Sequence, residues 1–85
     1  MGHAREQTDH LSAKIKRIRT GLNLSQDGII KFLGAEDKLT REDISKFERG
    51  VREPPLSIIL KYARAVGIST DILIDDKLQL PEIKN

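Results

Sequence analysis

Apolar residues recur at helical spacing through most of this chain, in short runs that end at glycine. Leu11, Ile15, Ile18 and Leu22 fall three or four residues apart with lysine and arginine between them. This predicts a helix from about Asp9 to Thr20, stopped by Gly21. Ser25 is placed to cap a second helix, Gln26 to Leu33, with Ile29, Phe32 and Leu33 as its apolar face and Gly34 as its end. After a connection over Ala35 to Leu39, Thr40 caps a third helix, Asp43 can return the hydrogen bond, and Gly50 is a natural left-handed stop. Leu39 and Ile44 are spaced for a hydrophobic staple across that cap. Pro55 suits the first position of a fourth helix running to about Val66, with Leu56, Ile59, Leu60, Ala63 and Val66 inward and Gly67 beyond it. Ser69 or Thr70 caps a last short helix over Asp71 to Asp75, and the alternation of Leu78 and Leu80 makes the tail extended.

Five short helices with brief connections and no strand signal predict an all-α, compact domain. Residues 1–8 are polar and unpatterned, 9–76 form the domain, and 77–85 are a tail. The third helix is the most distinctive. Ile44 and Phe47 face one way, leaving Arg41, Glu42, Ser45, Lys46 and Arg49 on its other faces. So short a helix cannot stand alone. It needs a scaffold while it presents polar side chains outward, as a reading head for DNA would.

Composition narrows the function. At 85 residues with Phe32, Phe47 and Tyr62 as the aromatics, the chain must build one small core from isoleucine and leucine. It has no cysteine, which removes disulfides, thiolate chemistry and cysteine-ligated zinc. The only histidines are His3 and His10, and no metal-ligand spacing or nucleophile–base set is visible, so neither catalysis, a metal nor a cofactor is expected. No apolar run approaches the roughly 20 residues of a membrane span, and the N-terminus lacks a signal-peptide pattern. A cytoplasmic protein is expected, nucleoid-associated when bound to DNA.

The net charge is only +2, yet residues 14–52 hold ten basic side chains against six acidic ones. That central excess fits a polyanion. It also fits lysines and arginines that merely solvate helix surfaces.

The order and spacing of Ile18-Arg19, Leu24-Ser25-Gln26, Leu33-Gly34, Ile44-Ser45-Lys46-Phe47-Glu48-Arg49-Gly50, Arg52-Glu53-Pro54 and Tyr62 through Ser69 resemble the Cro and phage-repressor type helix-turn-helix family, often called XRE. The resemblance covers about Ile15 to Ile74. It implies a repressor-like fold whose second and third helices form the unit that binds double-stranded DNA, with the third in the major groove. Arg41 and Glu42, in the first turn of that helix, would meet base edges, with Ser45 and Lys46 one turn later. Gln26, Lys38, Arg49 and Arg52 would contact phosphates. Glu48 would pair with Arg19 as a structural ion pair joining the first and third helices. Glu42 and Asp43 also suit the helix dipole, the preferred role for Asp43.

The chain departs from this family in two linked places. From Gly34 to Ile44 the turn is about four residues longer than usual, and Ile30 stands where alanine is preferred. A longer turn would separate the helices enough to admit Ile30. It also brings Glu36 and Asp37 near the DNA face, so the loop is expected to fold away and leave Lys38 to approach the backbone. Gly28 inside the second helix lowers local helicity by about 1 kcal/mol relative to alanine.

Ile72, Leu73 and Ile74 cannot all be buried by one face of a short helix. Either the tail covers the surplus or a second protomer does. The family usually dimerises through this region, which makes Ile72, Ile74, Leu78 and Leu80 candidate contacts of a homodimer reading a palindromic operator. The leading expectation is a sequence-specific transcriptional regulator. The alternative is a protein-interaction or antitoxin-type adaptor on the same scaffold.

Overall fold

A computed structural model describes residues 10–83. The expected polar segment 1–8 and the expected helix start at Asp9 lie outside the described residues. Within them the chain forms α1 (Leu11–Gly21), α2 (Gln26–Phe32), α3 (Arg41–Glu48), α4 (Leu56–Val66) and α5 (Thr70–Ile74), with no strand. α1 is the hub, packing against α3, α4 and α5, while α2 leans on α3 and α4 on α5.

The helix ends follow their local chemistry. Ser25 accepts a hydrogen bond from the Gly28 amide to start α2, and Ser69 accepts one from Asp71 to start α5. Gly34, Gly50 and Gly67 all sit at positive φ, where a glycine costs least. Gly67 closes α4, and the Ile68 amide then reaches back to the Ala63 carbonyl. Pro55 is the cap of α4 rather than its first helical residue.

Gly21 is the last residue of α1, but the left-handed turn comes two residues later, at Asn23 with φ 61°. Gly21 serves a different need. A Cβ there would lie 2.8 Å from the Cβ of Ile83, so the tail can cross the end of α1 only because that side chain is absent.

The core joins Ile15 and Ile18 of α1, Ile29 and Ile30 of α2, Ile44 and Phe47 of α3, Ile58, Ile59, Tyr62 and Ala63 of α4, and Leu73 of α5. Two helical faces differ from those expected. In α2, Phe32 is exposed and Ile30 is buried in its place. In α4, Leu56 is exposed while Ile58 and Tyr62 turn inward. Both segments are apolar on more than one side, so periodicity alone does not select the buried face.

The lengthened turn is pinned by its own ends. Ala35 and Leu39 are buried, the Ala35 amide donates to the Ile30 carbonyl, and the Lys38 and Leu39 amides both donate to the Ala35 carbonyl. Ile30 is buried in the same core cluster as these two residues and lines the space between α2 and α3 together with Leu39.

Lys14 departs most from the sequence reading. It is fully buried, and its ammonium donates to the carbonyl of Ile72 at 2.6 Å and of Asp75 at 3.0 Å. A cation thus closes the carbonyl end of α5, where the helix dipole favours positive charge. This lysine does not belong to a DNA-facing surface. Lys14→Met keeps the stem but leaves two carbonyls without their donor, and should lower unfolding free energy by about 1.5–3 kcal/mol in urea titration. A loss within error would mean that solvent reaches those carbonyls.

Candidate nucleic-acid interface

α3 is shaped by its two ends. Thr40 Oγ1 accepts from the Asp43 amide at 3.3 Å, and Asp43 Oδ2 accepts from the Thr40 amide at 2.9 Å, completing the reciprocal cap. Leu39 and Ile44 are both buried at that cap. With Ile44 and Phe47 in the core, the opposite face carries Arg41 and Glu42 exposed, Ser45 and Lys46 half-buried, and Arg49 exposed.

The angle of α3 is set by Arg19. Its Nε donates to Glu48 Oε2 at 2.7 Å, its Nη2 to Oε1 at 3.0 Å, and its Nη1 to the Leu24 carbonyl at 2.9 Å. One guanidinium therefore ties α1 to the end of α3 and to the turn before α2. The Glu48 side chain is only 4% exposed. The hydrogen bond to Glu48 raises the already high pKa of Arg19, which keeps the guanidinium charged. Beside the pair lies Tyr62, whose buried hydroxyl has no hydrogen-bond partner among the described residues. Burial pushes its pKa up, and the nearby Glu48 carboxylate adds to the shift.

Other side chains have partners that the sequence did not reveal. Gln26, expected to grip a phosphate, places its amide nitrogen 3.4 Å from Glu48 Oε1. Arg52, expected in the same role, donates to Asp43 Oδ1 at 2.6 Å and lies 5.2 Å from the centre of the Phe47 ring. It braces the first turn of α3 from the following loop. Arg49 Nε donates to Ser45 Oγ, and Lys46 lies 3.9 Å from Glu42. Lys38 stands exposed in the lengthened turn.

Between α2 and α3 runs an open groove of about 1010 Å³, floored by Ile30 and Leu39 and edged by Gln26, Arg41, Glu42, Ser45 and Arg49. Glu36 also lines it, so this acid does not fold away as expected. Buried Ala35 and Leu39 hold the loop down and fix Glu36 at the rim. Among the described residues no group of three His, Cys, Asp or Glu side chains could hold a metal ion, and no helix is long and apolar enough to cross a membrane.

Of the residues considered for a dimer, Leu80 is 5% exposed and packs into its own protomer's core. Leu80 therefore offers no exposed face, which withdraws it as a contact for a second chain. Ile72 is half-buried against the core. Ile74 and Leu78 are 51% and 40% exposed.

These contacts give two measurable consequences. Glu48→Gln leaves Arg19 largely buried without its counter-charge and should cost about 3 kcal/mol. Replacing Arg19 and Glu48 together by methionine should cost less than that single change in the same unfolding assay. Asp43 responds to acid. The Thr40 amide first, then Arg52, holds its pKa below the ordinary carboxylate value. Its stabilising effect is complete above the unfolded value of about 4 and is lost as pH falls through the lower folded value. At pH 6 wild type should melt about 4–8 °C above Asp43→Ala, the shift expected for loss of a cap. The two melting curves should converge at the acid end.

A helix-turn-helix family model matches residues 15–73, spanning both sides of the lengthened turn. The SPbeta prophage-derived HTH-type transcriptional regulator YonR of Bacillus subtilis is 35% identical over 75 residues, covering 85% of this chain and 66% of the relative. The HTH-type transcriptional regulator y4dL of Sinorhizobium fredii is 32% identical over 79 residues, covering 93% of this chain and 37% of that protein. The chain thus spans just under two thirds of one relative and a little over a third of the other. No solved structure gives a significant match. By the family match, and by the two helices that meet across the α2–α3 groove, this chain belongs to the helix-turn-helix family.

Proposed function

We propose that the chain is a sequence-specific, double-stranded DNA-binding transcriptional regulator that reads its operator with α3 in the major groove. The observation that carries this reading is the division of α3. Ile44 and Phe47 are fully buried, while Arg41, Glu42, Ser45 and Lys46 remain on the opposite side of a helix fixed at both ends. The two relatives are named as transcriptional regulators, which agrees with it. Arg41 would pair with guanine and Glu42 with cytosine. Phosphate contacts fall to Lys38 and Arg49, with Gln26 and Arg52 joining through the donors that their internal contacts leave open.

The active form in this reading is a homodimer on a palindrome. Ile74 and Leu78 are exposed apolar side chains near the end of α5 and would supply the contact, with Ile72 at its edge. The same pair supports a second reading, in which this surface receives a protein partner of another kind and the scaffold serves as an adaptor.

Selection of bound duplexes from a random pool at physiological salt tests both readings. The regulator should enrich one palindrome, with half-sites about one helical turn apart. On that duplex Arg41→Ala should cost about 1–3 kcal/mol while changing binding to unrelated DNA little. An equal loss on all sequences would make Arg41 a phosphate contact, and no enrichment would favour the adaptor.

A further inference from the structure

The exposed cations of α3 already have partners in the free protein, and one partnership is unlike the others. Lys46 with Glu42 and Arg49 with Ser45 are contacts within α3. Arg41 instead meets a residue of α2. Its Nη1 lies 3.9 Å from Oδ2 of Asp27, so the pair spans the groove between the first turns of the two helices. Both side chains are mostly exposed, at 70% and 63%.

An isolated surface pair of this kind contributes little to stability. Asp27 also suits the positive end of the α2 dipole. Neither point explains a carboxylate on the face proposed to meet a polyanion, beside the side chain proposed to read a base. The lengthened turn offers a reason. It joins α2 to α3 through a loop, and Arg41 at the first position of α3 carries a long side chain that is 70% exposed, with little packing to restrain it. A guanidinium has five N–H donors in a rigid fork. With a carboxylate 3.9 Å from Nη1, an electrostatic contact rather than a hydrogen bond, the guanidinium is drawn towards Asp27 while all its donors stay available. The negative charge also makes a passing phosphate a poorer partner for Arg41 than a base edge.

We propose that Asp27 is a positioning residue for Arg41, orienting its guanidinium towards a base and discouraging its use as a sequence-independent phosphate contact. The inference rests on the reading of α3 as the DNA reader. Glu36 provides an internal control, since it is an acid on the same groove with no hydrogen bond or ion pair to Arg41 described.

Competition binding at one salt concentration tests this on three kinds of duplex: the selected one, its single-base variants and an unrelated one. Arg41→Ala should erase the preference at one base position, worth about 5- to 150-fold if the contact is bidentate. Asp27→Asn should weaken the preference at that same position by about two- to fivefold, the range of an exposed pair, and raise affinity for the unrelated duplex. Asp27→Glu should retain most of the preference. Asp27→Asn added to Arg41→Ala should change it no further. Glu36→Gln should raise affinity for all duplexes alike.

The proposal is overturned if Asp27→Asn acts like Glu36→Gln, or if it shifts the preference equally with and without Arg41. It is also overturned if no position responds to Arg41→Ala while the protein still selects a sequence, because α3 then reads through other residues. Failure to select any duplex overturns the regulator reading itself, and this proposal with it.

Discussion

The Arg19–Glu48 pair is the constraint on which the exposed face of α3 depends. α3 is short and cannot hold a fixed direction through its own backbone hydrogen bonds. Ile44 and Phe47 press it against the core, but an apolar contact leaves rotation and tilt comparatively soft. A bidentate ion pair does not, because guanidinium and carboxylate meet in one plane and at one separation. The third donor of Arg19 reaches the Leu24 carbonyl, so the same group also fixes the corner where α2 begins. The geometry of both helices is therefore referred to one side chain of α1.

The other end of α3 is held differently. There the Thr40–Asp43 cap, the Arg52 bridge and the Phe47 ring converge on the first turn. These contacts are more exposed than Arg19–Glu48, and therefore softer. α3 is thus held at its carbonyl end by a buried pair and at its amide end, where Arg41 and Glu42 stand, by more exposed contacts.

How much of this the sequence reveals depends on the range of the interaction. The α3 cap is legible because Thr40, Asp43 and Gly50 act within a few residues of one another. The Arg19–Glu48 pair is legible only through resemblance, since nothing local in either residue marks it. Lys14 is not legible at all. A lysine between apolar residues of a helix normally reaches water, and its partners here lie 58 and 61 residues away. Arg52 reads as a surface cation for the same reason. Its partner sits nine residues back, beyond the Gly50 stop, and nothing local to either residue marks the pairing. The apolar faces of α2 and α4 fail on another ground. Ile29-Ile30 with Phe32-Leu33, and Leu56 with Ile58-Ile59-Leu60, offer more apolar side chains than one face can hold, and tertiary packing makes the choice.

The lengthened turn has a consequence for how such a protein can change over generations. With a tight corner, the direction of the third helix is fixed by backbone geometry and is hard to alter without breaking the fold. Here Arg19 sets the angle of α3, while Ile30, Ala35 and Leu39 fill the core beside the turn, and none of the three belongs to the exposed face of α3. Exchanging one aliphatic residue for another at these positions would change how closely α2 and α3 approach and leave the polar residues of α3 untouched. Helix spacing and chemical identity then become separately heritable traits, and a lineage could explore new targets along either axis alone.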